Sequence, residues 1–176
     1  MKTLIISSTS SKNIEANLII NEVYSFLELL EDEYPNFKQW YFKKVIPEIG
    51  FSRQFLLKYI KQQLVGVAIL KRNPLESKIC TFRVKEEYQG LGIGSNMLID
   101  SFHLLNNCKP NITVSEKRLA EFSSILNKNG FKLDAIYPNY YNEGQKEYSF
   151  NGLIENKSHN CKDFLPSMNK LHREIL

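Results

Sequence analysis

The residues best suited to chemistry lie in one stretch, Phe82-Arg83-Val84-Lys85-Glu86-Glu87-Tyr88-Gln89-Gly90-Leu91-Gly92-Ile93-Gly94-Ser95. Three glycines on alternate positions, Gly90, Gly92 and Gly94, follow a strand-like run and precede a run with helical spacing. Glycine reaches backbone angles closed to other residues and lets a ligand approach the main chain. A helix start adds N–H groups without intrahelical partners and the positive end of the helix dipole. The pattern predicts an anion cradle for a phosphate or pyrophosphate. Spacing separates it from two common cradles. A dinucleotide fingerprint GxGxxG would need glycine where Ser95 or Met97 stands. A phosphate loop would need Lys-Ser or Lys-Thr after Gly94, where the chain has Ser95-Asn96. What fits is Gln89-x-x-Gly92-x-Gly94.

The elements that must position this cradle follow from hydrophobic spacing. Thr3–Ile6 predicts a short strand, and Asn13–Leu30 a helix through Leu18, Val23, Phe26 and Leu27. Phe37–Ile46 predicts a second helix, closed by Pro47 and Gly50. Gln54–Ile60 and Leu64–Leu70 read as strands of a hairpin joined at Lys61-Gln62-Gln63, and Ile79–Val84 as the next strand. After the cradle come a helix from Ser95 to Asn106, a strand Asn111–Val114 and a helix Glu116–Asn129 ended by Gly130. Phe131–Tyr137 and Glu147–Phe150 are strands flanking a loop. The order alternates meander and strand–helix–strand units, which predicts a mixed α/β domain over 1–154. Residues 155–176 form a C-terminal extension with a weak helical pattern around Phe164, Met168, Leu171 and Ile175.

Composition excludes several classes. A chain of 176 residues fits one domain, at about 100–200 residues each. The longest apolar run is Leu64–Leu70, far below the roughly 20 residues of a membrane span. Cys80, Cys108 and Cys161 are odd in number and widely spaced, which speaks against a disulfide framework or a structural zinc site and for a reducing, cytoplasmic compartment. Net charge is +4 but uneven: −4 over residues 1–33 and +7 over residues 34–72. A basic stretch can face nucleic acid; a solvated face is the favoured reading.

The cradle and its surroundings resemble the GNAT N-acetyltransferase superfamily. That family's coenzyme A motif, [Arg/Gln]-x-x-Gly-x-[Gly/Ala], is matched by Gln89, Gly92 and Gly94. Thr113-Val114, followed by a helix into Lys128-Asn129-Gly130-Phe131, is similar to the family's entry into its sixth strand, and Leu64–Leu70 to its third strand. The resemblance spans residues 1–152. It implies a GNAT-like mixed sheet of six or seven strands, splayed between strands four and five and flanked by about four helices. It also implies that acetyl-CoA is the acyl donor, with no metal. The pantetheine arm would pair with backbone near Phe82 and Val84, and the pyrophosphate would rest on N–H groups of Gln89, Gly90, Leu91, Gly92, Ile93, Gly94 and Ser95. The partner is an amine acceptor, and the reaction is direct attack of that amine on the thioester. This needs a neutral amine, a stabilised oxyanion and a proton for the leaving thiolate.

Two positions depart from the family pattern. The Tyr that commonly protonates the thiolate falls at Leu126, and the strand-four Glu that often acts as base falls at Lys78. The sequence therefore nominates substitutes for catalysis: Glu116 after strand five, Ser124 within one turn of the missing Tyr, and Tyr141 in the loop between the last two strands. Tyr137, Tyr140 and Ser123 are weaker nominees. The acidic run Glu31-Asp32-Glu33 reads as a solvated loop bordering the acceptor groove. The alternative function is a catalytically degenerate acyl-CoA-binding sensor or partner-binding subunit. The acceptor stays open; a nucleic-acid-bearing one is not favoured. The protein is expected to work off the membrane, as a monomer or homodimer.

Overall fold

The computed structural model describes residues 1–7 and 14–154; the extension 155–176, with its expected helix, lies outside the described residues. The order is β1 (Lys2–Ile6), α1 (Ile14–Leu27), α2, β2 (Arg53–Ile60), β3 (Gln63–Arg72), β4 (Ser77–Val84), α3 (Ile93–Leu105), β5 (Asn111–Ser115), α4 (Leu119–Lys128), β6 (Leu133–Pro138) and β7 (Lys146–Phe150). Helix α2 starts as α-helix over Phe37–Trp40, passes through a π turn over Tyr41–Val45 and ends in the turn Ile46–Glu48. It thus runs past Pro47, which the sequence reading took as its end. Proline is tolerated there because it sits in the first turn of that last piece.

The seven strands form one sheet in the order β1-β2-β3-β4-β5-β7-β6. All pairs are antiparallel except β4 with β5. Strand β3 reads as a nearly unbroken apolar run because both its faces are covered. Val65, Ala68 and Leu70 join α3 and α4 through Met97, Leu98, Leu105 and Leu126. Leu64, Val67 and Ile69 join α1 and α2 through Val23, Leu27, Tyr41 and Val45. Each such side chain contributes roughly 1.5–3 kcal/mol on burial. Gly66 permits the close approach of α3, since a Cβ there would lie 2.5 Å from the Met97 sulfur.

The β2–β3 turn is two residues, Lys61 and Gln62, not the three expected. Both have positive φ (47° and 66°), the twist a tight hairpin turn favours.

Two irregularities create the site. Strands β4 and β5 pair in parallel only at Lys78 with Asn111 and Ile79 with Ile112. Their remaining residues, up to Val84 and Ser115, have no paired register across the gap, so the sheet splays as expected. In addition, the β3–β4 register jumps from Ile69 with Thr81 to Leu70 with Ile79, leaving Cys80 as an extra residue. Such a bulge bends a strand and re-aims its side chains.

Candidate active site

The cradle is built by backbone. Gly90 and Gly92 have φ of +77° and +79°, and a Cβ added to either would meet nothing within 4 Å. Glycine is needed there for its angle, not to relieve crowding. Gly92 caps α3 without any side-chain hydrogen bond to the helix's first N–H groups. The helix begins at Ile93, two residues earlier than expected, so Ile93, Gly94 and Ser95 form its first turn. Ile93 buries its side chain in the core and offers only backbone outward, whereas Leu91 is exposed. Gly94 lies against Phe82, Val84 and Ile125; its Cβ would sit at ordinary contact distances of 3.7–3.8 Å. The Gln89 amide donates to the Val84 carbonyl (3.2 Å) and to the Glu121 carboxylate (3.0 Å). It fastens the end of β4 to α4.

Phe82 and Val84 are half-buried on the α3–α4 face of β4, with Phe82 edge-on to Phe122 at 6.1 Å. Leu126, at the position where the family commonly has Tyr, is 1% exposed within this core.

On the opposite face, three separated stretches converge on a small pocket lined by Glu33, Ser115, Tyr141, Asn142, Gln145, Lys146 and Glu147. The acidic run after α1 is not a uniformly solvated loop: Glu33 is 7% exposed. Its carboxylate accepts from Ser115 Oγ (3.0 Å) and pairs with the Arg118 guanidinium (2.8 Å). The Asn142 amide of the β6–β7 loop donates to the Glu33 carbonyl. Glu147, 3% exposed, lies between Ser115 and Tyr137 in the β5–β7–β6 register. Burial pushes its carboxyl up to about 7, against hydrogen bonds from Thr113 and Tyr34 and the charge of Lys78. The Tyr34 hydroxyl is 3.5 Å from Glu147 Oε1.

Four tyrosines form a chain of ring contacts that includes the lining residue Tyr141. Tyr34 meets Tyr141 edge-on at 5.0 Å, Tyr141 meets Tyr140 at 4.7 Å, and Tyr140 meets Tyr137 at 5.5 Å. Burial, then the charge of Glu147, pushes the Tyr141 phenol up, so it keeps its proton well past neutrality.

Of the nominated catalytic residues, the structure brings Tyr141 into this pocket. Glu116 lies one residue past Ser115, with its carboxylate 3.0 Å from the Lys146 ammonium. Ser124 is exposed on α4, and Ser123 Oγ donates back to the Ala120 carbonyl. Sequence reasoning did not single out Glu147 and Tyr34, whose side chains meet here. The legible signal for Glu147 was a carboxylate inside a five-residue strand, where acidic residues are disfavoured without a reason.

The basic stretch is less open than its composition implied. Arg53, Lys58 and Lys71, three of its eight cations, pair with Glu48, Asp100 and Glu76. Lys38 lies over the Tyr24 ring at 5.8 Å. Among the described residues no helix is long and apolar enough to cross a membrane, and no group of three His, Cys, Asp or Glu side chains could hold a metal.

A splayed mixed sheet, with a glycine-opened helix start after β4 and a small pocket at the end of β5, defines an acyltransferase-type fold. The acetyltransferase (GNAT) domain profile matches residues 35–145, and the chain belongs to this family. Solved structures share the fold at low identity. Ard1 from Thermoplasma volcanium aligns with a TM-score of 0.61 and 17% identity, covering 85% of this chain and 96% of that one. Arabidopsis thaliana Naa50, bound to the bisubstrate analogue CoA-Ac-MVNAL, gives 0.56 and 21%, covering 85% and 97%. A GNAT acetyltransferase from Elizabethkingia anophelis with acetyl-CoA bound gives 0.56 and 16%, covering 84% and 95%. No curated protein sequence matches the chain.

Proposed function

We propose that the chain is an N-acetyltransferase that moves an acetyl group from acetyl-CoA to a primary amine by direct attack. One observation supports this most: β4 and β5 part after Ile79 and Ile112, and the glycine-opened start of α3 follows β4 while Ser115, which lines the pocket with Tyr141, ends β5. The residues present suit the coenzyme. Gly90 and Gly92 leave open space at left-handed angles, the first turn of α3 has no side-chain cap, and β4 beyond Ile79 is unpaired on its β5 side. In this reading Gln89, Gly90, Leu91, Gly92, Ile93, Gly94 and Ser95 hold the pyrophosphate through backbone N–H groups. Phe82 and Val84 border the pantetheine arm. Bound acetyl-CoA supplies the activated thioester. Tyr141 keeps its proton at neutral pH for the leaving thiolate. Glu116 and Ser124 would serve as auxiliary polar groups.

The relatives bound to acetyl-CoA and to a peptide bisubstrate analogue support a coenzyme-dependent reaction at an amine. The pairing of three of the eight cations in the basic stretch favours a small-molecule or protein amine over a nucleic-acid-bearing acceptor. The proposed setting is cytoplasmic, as a monomer or homodimer.

A second reading, a coenzyme-binding sensor without turnover, draws on Leu126, which puts an alkyl group in the core where a phenol is common. Two measurements separate the readings. Acetyl-CoA at about 100 times its dissociation constant should stabilise the protein by about 2.7 kcal/mol under either. Thiol release with a panel of nourseothricin, spermidine and the peptide Met-Val-Asn-Ala-Leu should occur only under the first.

A further inference from the structure

Two buried carboxylates face the same pocket, and the protein treats them differently. Glu33 is held by the Arg118 guanidinium at 2.8 Å and by Ser115. Glu147 is the more buried of the two, yet among the described residues no cation lies within ion-pair distance of it. Its contacts are the Thr113 hydroxyl and the Tyr34 phenol at 3.5 Å. A buried carboxylate without a paired cation is expensive to keep, and a fold under no functional demand would neutralise or replace it. Glu147 also stands beside Ser115, the last residue of β5, at the end of the strand where β4 has already diverged.

We propose that Glu147 is the general base that takes a proton from the acceptor's ammonium group, a role that rests on the acetyl-transfer reading above. One carboxylate oxygen of Glu147 accepts an N–H proton, which frees the nitrogen lone pair. The lone pair forms the C–N bond to the acetyl carbonyl carbon. The C–S bond then breaks, and the sulfur leaves with its electron pair and takes the Tyr141 phenol proton, which the second N–H proton replaces. Glu147 returns its proton to solvent, so ammonium and thioester become amide, thiol and one released proton. A carboxyl pushed to about 7 by burial is matched to this work, because it is part ionised and a strong enough base at neutral pH. Tyr34, whose hydroxyl is 3.5 Å from the carboxylate, meets Tyr141 edge-on at 5.0 Å, so the base sits beside an aromatic pair. The charged and titratable groups facing Glu147 are Glu33 and Tyr34 after α1, Lys78 on β4, and Tyr140 and Tyr141 in the β6–β7 loop.

The test is the pH dependence of kcat/KM, measured with the panel amine that turns over fastest, beside acetyl-CoA affinity by calorimetry. Wild type should show an acidic limb centred near pH 7. Glu147→Gln should lose about 100-fold or more in turnover at pH 7.5, lose that limb, and regain rate at high pH where the amine is already neutral. Glu147→Asp should recover part of the rate, and acetyl-CoA affinity should not change. A Gln variant within threefold of wild type with the same limb overturns the proposal and leaves acetyl transfer standing. If the Gln variant does not fold, Tyr34→Phe decides: losing that donor should move the limb to higher pH, and an unmoved limb overturns the proposal. Acetyl-CoA binding without thiol release on any panel amine overturns the acetyl-transfer reading and the base together.

Discussion

The glycine-rich start of α3 and the pocket around Tyr141 are made differently. The first is a run of consecutive residues, Gln89–Ser95, that presents backbone N–H groups and two left-handed glycines. Its side chains point elsewhere: Ile93 into the core, Leu91 into solvent. The pocket works through side chains drawn from the turn after α1, the end of β5, the β6–β7 loop and β7. A backbone site depends on angles, so it tolerates change at most positions and none at a few. A side-chain site depends on distant segments being held together, so its weak points are the contacts that hold them.

The largest expected break in this comparison is Gly92→Glu. A side chain at φ +79° is strained, and a carboxylate would stand where an anion is to bind. Acetyl-CoA affinity by calorimetry should fall by more than about 100-fold. Gly94→Ala, whose Cβ would meet only ordinary contacts, should cost less than about tenfold.

On the pocket side, Arg118→Met should leave Glu33 buried without its cation. Removing one partner of a buried pair costs about 3–5 kcal/mol, less here because the Arg118 side chain is 42% exposed. About 1–3 kcal/mol should be lost in a urea melt, together with turnover. Glu147→Gln should do the reverse to stability. Its carboxyl is raised from 4.5 to about 7 in the folded state, so the folded state binds a proton that the unfolded chain releases. This group therefore costs stability as pH rises from about 4.5 to 7, by at most on the order of 3 kcal/mol. The Gln variant should melt higher than wild type at pH 8 and match it more closely at pH 5. Such a stabilised but slow variant is the pattern of a residue kept for function.

Smaller effects should mark the boundary of the site. Gln62→Gly should stabilise the hairpin by about 0.5–1 kcal/mol, since the native residue holds φ at 66°. Glu116→Gln and Ser124→Ala should each change turnover by less than about threefold. A larger loss in either would move the chemistry toward α4 and away from Tyr141.

The sequence alone determined the local parts. Periodicity located every strand and helix among the described residues to within a few positions, because one face of each element must be apolar. Glycine spacing marked the left-handed turn at Gly90 and Gly92 ahead of α3, because left-handed backbone leaves a direct trace in residue type. The splay was implied by resemblance and agrees with the two-pair register of β4 and β5. Tyr141 was nominated from its place in a loop. What sequence could not show was burial of charge. Glu33 looked like part of a solvated acidic run, and Glu147 like one more polar residue in a short strand. Lys58 and Arg53 counted toward a basic face until the fold paired them with Asp100 and Glu48. The effect of a charge depends on which distant groups surround it and on how much water is removed. Only the tertiary structure, bringing residues 33, 115, 141 and 147 to one end of the gap, decided that.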